Sequence, residues 1–187
     1  MISSVSAQPF SGRVWYTSTD LANKSKVSES EFRNRQVVDT ARLGLRVNYK
    51  LLHAVVEKEK ISSKGKLNDD ATDTLINNDR LWFGVGFHTT KDTYVTLYND
   101  KNSDFWKFQI DTNFEIRPRL KLLSRVYHLD HRGGTLAKSG GRRTTGIGLG
   151  FEYRLFKGAS ARLMYESGNN TSDFVEDRLL TGLTFDF

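Results

Sequence analysis

The chain contains no cysteine, so disulfides and thiolate metal sites are excluded. Four scattered histidines make no structural zinc motif. Proline occurs only at Pro9 and Pro118, beside 15 glycines, 12 phenylalanines, 7 tyrosines and 3 tryptophans. That balance argues for ordered sheet rather than disorder. No run of ~18 consecutive apolar residues occurs, so no helix is long and apolar enough to span a bilayer. The test says nothing of membrane β-barrels, whose strands meet lipid only every second residue. No segment carries a helical stripe, and no phosphate loop, HExxH or GxSxG is present. The glycine run in "RTTGIGLGFEYRLF" (143–156) is not followed by a helix start, as a dinucleotide fingerprint requires.

What the chain has is alternation. Along 143–156 one parity reads Thr145, Ile147, Leu149, Phe151, Tyr153, Leu155, and the other Thr144, Gly146, Gly148, Gly150, Glu152, Arg154. Residues 41–50, 80–88, 106–116 and 175–187 repeat the pattern, with one apolar face and one face of glycine and charge. Ten strands are expected, near 10–20, 35–50, 52–62, 79–90, 93–101, 104–116, 119–131, 142–156, 158–168 and 175–187. Residues 52–62, 93–101 and 119–131 alternate less cleanly, and their phase stays open. Tight connections ("YKLLH", "TTKD", "IRPR", "FKGA") alternate with longer polar ones, as in outer-membrane barrels.

The length of 187 residues suits one domain. Residues 1–9 read as an N-terminal segment, in which Met1 to Ala7 are a processing remnant or an ordinary disordered terminus, and 10–187 as the barrel. Three features favour a membrane barrel over a soluble sandwich. Several strands run longer than the ~5–6 residues usual in soluble sheets, and a bilayer crossing needs ~9–11. Tyr49, Phe87, Phe114, Ile116, Tyr153 and Phe156 sit near turns, where an interfacial girdle lies. The stretch ending in Phe187, with Phe185, Leu183, Thr181 and Leu179 behind it, looks like the terminal signal of bacterial outer-membrane proteins. The expected fold is therefore an all-β, transmembrane, antiparallel up-and-down barrel of about ten strands, monomeric, in a Gram-negative outer membrane. Its expected partners are membrane lipid and lipopolysaccharide, small anions, and the barrel-assembly machinery through Phe187.

With charged faces inward, the lumen is expected to carry Arg13, Arg42, Arg46, Lys50, Arg80, Lys107, Lys121, Arg125, Arg154, Arg162 and Arg178. Against them stand only Asp111, Glu115, Glu152, Glu166, Glu176 and Asp186. Together with the formal net charge of +6, this excess predicts a pore that favours anions. The competing expectation is a closed plug of mutually neutralised side chains, with function in loops 21–34 and 63–78. Gly44, Gly84, Gly86, Gly146, Gly148 and Gly150 face inward. They leave space either for solute or for large neighbours such as Trp82.

Inward arginines such as Arg42, Arg46, Arg125, Arg154 and Arg178, with the ending "EDRLLTGLTFDF", resemble the KdgM family of oligogalacturonate and sialic-acid porins. The resemblance is one of pattern along the whole chain. It implies a small monomeric outer-membrane barrel passing acidic oligosaccharides, and twelve strands where ten are counted here. The segment "YHLDHRGG" places His128, Asp130 and His131 near a rim, as the omptin proteases place Asp–His chemistry. Its spacing differs from theirs, and a solvated loop pair is the expectation, with no enzymatic activity and no cofactor. In "KNSDFWKF", Trp106 and Phe108 share a face that Lys107 leaves, so no nucleic-acid stacking platform is expected. The loop cations Lys24, Lys26, Arg33, Arg35, Lys64, Lys66, Arg132, Lys138, Arg142 and Arg143 form either a solvated rim or a surface for lipopolysaccharide phosphates and anion steering.

Overall fold

The computed structural model of the chain describes residues 10–25, 36–65, 74–90, 92–101, 105–131, 142–170 and 174–187. Residues 1–9, most of the long connections and the loop cations Lys26, Arg33, Arg35, Lys66, Arg132 and Lys138 lie outside the described residues, as do the side chains of Lys24, Lys64, His131, Arg142 and Glu176.

Ten strands follow in order: β1 Phe10–Ser25, β2 Gln36–Tyr49, β3 Leu52–Gly65, β4 Thr74–Thr90, β5 Thr93–Asp100, β6 Phe105–Arg117, β7 Leu120–His131, β8 Arg142–Phe156, β9 Ala159–Asn170 and β10 Phe174–Asp186. Each pairs antiparallel with its chain neighbour, and β10 returns to β1, closing the barrel. Closure leaves no strand edge for another chain to pair with. At the seam, Arg13 lies opposite Asp186 and Val14 opposite Phe185. Beyond the last strand residue, Gly12 and Phe187 exchange both backbone hydrogen bonds, at 2.9 and 3.0 Å. The Phe187 ring covers Gly12, where a Cβ would run into it.

The expected alternation places the faces correctly. Ile147, Leu149 and Phe151 point out, while Gly146, Gly148, Gly150 and Glu152 point in. The same holds for β2, β4, β6 and β10. The outward rows form a continuous apolar belt in which Val85 is 66%, Ile147 62% and Leu149 60% exposed. A water-soluble protein does not bare such a belt around its whole circumference, whereas lipid solvates it. Tyr49, Phe87, Phe114, Ile116, Tyr153 and Phe156 are all exposed at the tight-turn end, joined by Phe10, Phe185 and Phe187. This is the interfacial girdle.

Replacing Leu149 with Arg tests the solvent of that belt. In a bilayer, arginine at this depth is expected to cost about 2–4 kcal/mol. At an equally exposed site in water the change would be close to neutral. Reversible unfolding from liposomes reads the difference, and a neutral result contradicts a lipid-facing Leu149.

Several strands run past their sequence bounds at the long-loop end. β1 continues to Ser25, β3 to Gly65, and β4 begins at Thr74. The apolar residues of those extensions, Leu21 and Ala22, Leu75 and Ile76, fall in adjacent pairs and not at every second position, so no period of two marks them. At the other end the turns are tight. Lys50 takes a left-handed conformation, φ 53°, in the β2–β3 turn, and its Nζ lies 5.4 Å from the Tyr49 ring centroid. Lys50 therefore sits at an exposed turn and not in the lumen, contrary to expectation, because the strand ends one residue before it.

Candidate functional site: the lumen

The inward faces of β3, β5 and β7 change the expected picture of the lumen. β3 directs His53, Val55, Glu57 and Glu59 inward, with Lys58 and Lys60 outside. Both faces of this strand carry charge, so its phase could not be read from polarity. β5 turns Tyr94, Thr96, Tyr98 and Asp100 inward, and β7 turns Leu123, Arg125 and Tyr127. Glu57, Glu59 and Asp100 thus join the interior carboxylates, and the expected basic excess shrinks. The interior also holds two apolar clusters: Val55, Trp82 and Tyr98, and Leu123, Met164 and Leu180. A uniformly polar lumen is therefore corrected to a mixed one.

Most interior arginines are held by carboxylates. Near the tight-turn mouth, Arg13 forms a two-point pair with Asp186 (Nε–Oδ1 2.5 Å, Nη2–Oδ2 2.9 Å) and reaches Glu152 at 3.1 Å. Glu152 also accepts from Arg162 at 2.9 Å. At mid-lumen, Arg125 bridges Asp111 (2.6 Å) and Glu166 (2.8 Å), and Gln109 donates to Asp111 at 2.6 Å. Further toward the long loops, Glu59 accepts from Arg42 at 2.7 Å and from the Trp82 indole at 2.9 Å, with Arg80 at 3.5 Å. Glu57 accepts from the Trp15 indole at 3.1 Å. Charge-assisted bonds of this kind, away from bulk water, are the strong ones.

Several cations also rest on aromatic faces, Arg80 among them in addition to its Glu59 contact. The Arg46 guanidinium carbon lies 3.7 Å from the Tyr94 ring centroid, the Lys107 ammonium 4.1 Å from that of Tyr98, and Arg80 3.8 Å from that of Phe105. Arg178 approaches Tyr127 at 5.5 Å. Cation–π contacts supply attraction without neutralising the charge. Arg154, expected in the solute path, is exposed at the tight-turn mouth. There it lines a small recess with Lys121, Glu115 and Asp186. Neither Arg154 nor Lys121 reaches the central cavity, because each lies close to its turn.

The inward glycines do not hold space open. A Cβ on Gly44 would collide with the Trp15 indole, and one on Gly84 would come within 2.8 Å of Tyr98. On Gly146 it would meet Tyr127 at 2.5 Å, and on Gly148 Glu166 at 2.8 Å. On Gly150 it would meet Met164 and the Leu163 carbonyl, and on Gly86 the Val95 carbonyl and His53. Larger neighbours on adjacent strands lie over the glycines, and Trp82 itself is 3% exposed. Gly44→Ala is expected to push Trp15 off Glu57 and cost about 1–3 kcal/mol through overpacking. Chemical unfolding with a tryptophan-emission readout checks both effects.

Between these groups lies a mid-lumen cavity of about 60 Å³. Its walls carry six cations, Arg13, Arg42, Arg46, Lys107, Arg125 and Arg162, but only two carboxylates, Glu57 and Asp111. The wall residues carry an excess of positive charge, although Arg13, Arg42, Arg125 and Arg162 are paired with Asp186, Glu152, Glu59 and Glu166 just behind it, and the barrel interior as a whole is nearly balanced. Neutral polar groups, Gln109, Asn113, Thr17 and Thr96, share the wall with aromatic and apolar residues such as Trp15, Tyr94, Tyr98 and Met164.

His128 and Asp130 project to the outer wall rather than into a mouth. The His128 Nδ1 meets Thr145 Oγ1 at 2.7 Å, and its ring packs 5.7 Å from Trp106. Asp130 is buried with Arg143 at 3.7 Å.

No family model matches the chain, and no curated protein matches it in sequence. Solved structures do match its fold. It is similar to the COG4313 outer-membrane channel of Pseudomonas putida F1, with a TM-score of 0.53, 11% identity, and 97% of each chain covered. It is similar to the translocator domain of the autotransporter NalP from Neisseria meningitidis, at 0.51 and 10% identity, covering 98% of this chain and 90% of that one. Against the KdgM porin the TM-score is 0.42 with 12% identity, covering 91% and 99%. That score is too low to carry an argument. The fold is that of the Gram-negative outer-membrane barrels, and its apolar belt and aromatic girdle place the chain in that membrane.

Proposed function

We propose that the barrel is a narrow outer-membrane channel that passes small anions and excludes oligosaccharides. The observation that carries this reading is the central cavity, walled by six cations and two carboxylates. Basic constrictions select anions by their field, and low-dielectric walls strengthen that field. The likeness to a protein described as an outer-membrane channel, over nearly the whole of both chains, is consistent with it. Size sets the solute class. A cavity of about 60 Å³ is far below the ~300–1,000 Å³ of sites that enclose organic ligands. Acidic oligosaccharides would pass only if the Arg125 and Arg42 pairs opened. The lipid around the belt, lipopolysaccharide at the outer rim, and recognition of the Phe187 seam by the assembly machinery belong to the same proposal.

A second reading is favoured by the ion-pair network itself. Arg13, Arg42, Arg125 and Arg162 each hold a buried carboxylate, as in small barrels filled by their own side chains. Such a barrel would conduct nothing and would act through its long loops. Efflux from liposomes separates the two. The channel reading expects chloride efflux well above that of potassium and no swelling with an acidic disaccharide. Chloride retention equal to protein-free liposomes would leave the closed barrel standing.

A further inference from the structure

Two arginines that line the central cavity carry buried hydrogen-bond donors without an acceptor among the described residues. The Arg46 Nε and the Arg162 Nε are buried and lack an acceptor. Arg46 and Lys107 are the two cavity cations that lean on tyrosine rings, and among the described residues neither forms an ion pair. The carboxylates within reach are already engaged. Asp111 is bonded by Arg125 and Gln109, and Glu57 by Trp15. Glu57 Oε1, 4.0 Å from Arg42 Nε, and Thr17 Oγ1 also lack a hydrogen bond, and a water suits that wall better than an anion. Buried polar groups without partners are rare in folded proteins, and a cluster of them marks a missing ion or water.

We infer that a single small oxyanion, of inorganic-phosphate or short-carboxylate size, resides in this cavity against Arg46, Lys107 and Arg162. The volume of about 60 Å³ holds about four water-sized sites, enough for one such ion with a bridging water and too little for a sugar acid. An oxyanion fits better than a halide because the planar guanidinium fork pairs with two oxygens at once. The site rests on the anion-preferring reading of the lumen but is separable from it. A closed barrel can store an anion, and a channel can pass anions without storing one.

The test uses the full chain refolded in detergent, with inorganic phosphate replacing chloride at constant ionic strength. The thermal midpoint is expected to rise with phosphate concentration. Arg46→Gln and Lys107→Gln are each expected to weaken the half-saturating concentration about tenfold or more, as loss of one charged hydrogen bond does. Lys58→Gln, on the outer wall, is expected to leave it unchanged. A midpoint that follows ionic strength alone overturns the proposal, as does a phosphate response equal in both cavity variants and wild type. If Arg46→Gln fails to refold, Lys107→Gln and phosphorus-31 exchange broadening on the wild type decide the matter. Silent bilayer records with phosphate binding intact would remove the channel and keep the site. Anion current without phosphate dependence would remove the site and keep the channel.

Discussion

Glu59→Ala is expected to destabilise the barrel by about 3–5 kcal/mol, the cost of stripping the partner from a buried charge. Glu59 is 3% exposed and accepts from Arg42 on β2 and from the Trp82 indole and Arg80 on β4. Among the described residues its loss leaves Arg42 with the distant Glu57, 4.0 Å away, and removes the acceptor of the Trp82 N–H. Glu59→Gln keeps the shape and one acceptor oxygen for the indole, so it is expected to cost less. The contrast between Ala and Gln, read by urea unfolding from liposomes, separates lost packing from lost charge. Lys60→Ala, one residue away on the outer face, is expected to be nearly silent.

The double replacement Arg46→Glu and Lys107→Glu is expected to abolish the anion preference. It changes the cavity wall from six cations and two carboxylates to four of each, and among the described residues it breaks no ion pair. Replacing Arg125 instead would break its pairs with Asp111 and Glu166 and confuse selectivity with folding. The measurement is the ratio of chloride to potassium permeability before and after the change. An unchanged ratio would place the selectivity filter outside the central cavity.

The barrel was legible in the sequence because lipid imposes a strict period of two. Rows such as Ile147–Leu149–Phe151 against Gly146–Gly148–Gly150 have one orientation in a closed sheet. The lumen was legible only where charge and apolarity divided cleanly between faces. Arg42 and Arg46 came from such a strand, whereas Arg125 lay on 119–131, where the alternation is less clean. Glu57 and Glu59 did not come from one, because Lys58 and Lys60 put charge on the other face of β3 as well. Tyr94, Tyr98, Leu123, Tyr127, Met164 and Leu180 were missed for a related reason. A narrow barrel fills its interior with bulky side chains, so apolar residues on the inner face break the expected polarity. The glycines carried a usable signal that pointed one step short: each marks where a neighbour's ring or chain lies over the strand, as Trp15 does over Gly44 and Tyr127 over Gly146. That pairing needs the register between strands, which alternation within one strand does not contain.

The most direct measurement is the reversal potential of the purified protein in a planar bilayer under a salt gradient. A narrow basic lumen predicts discrete openings of small conductance whose reversal potential has the sign of chloride selectivity. A cation-selective reversal potential, or a membrane that stays silent with correctly folded protein inserted, would contradict it.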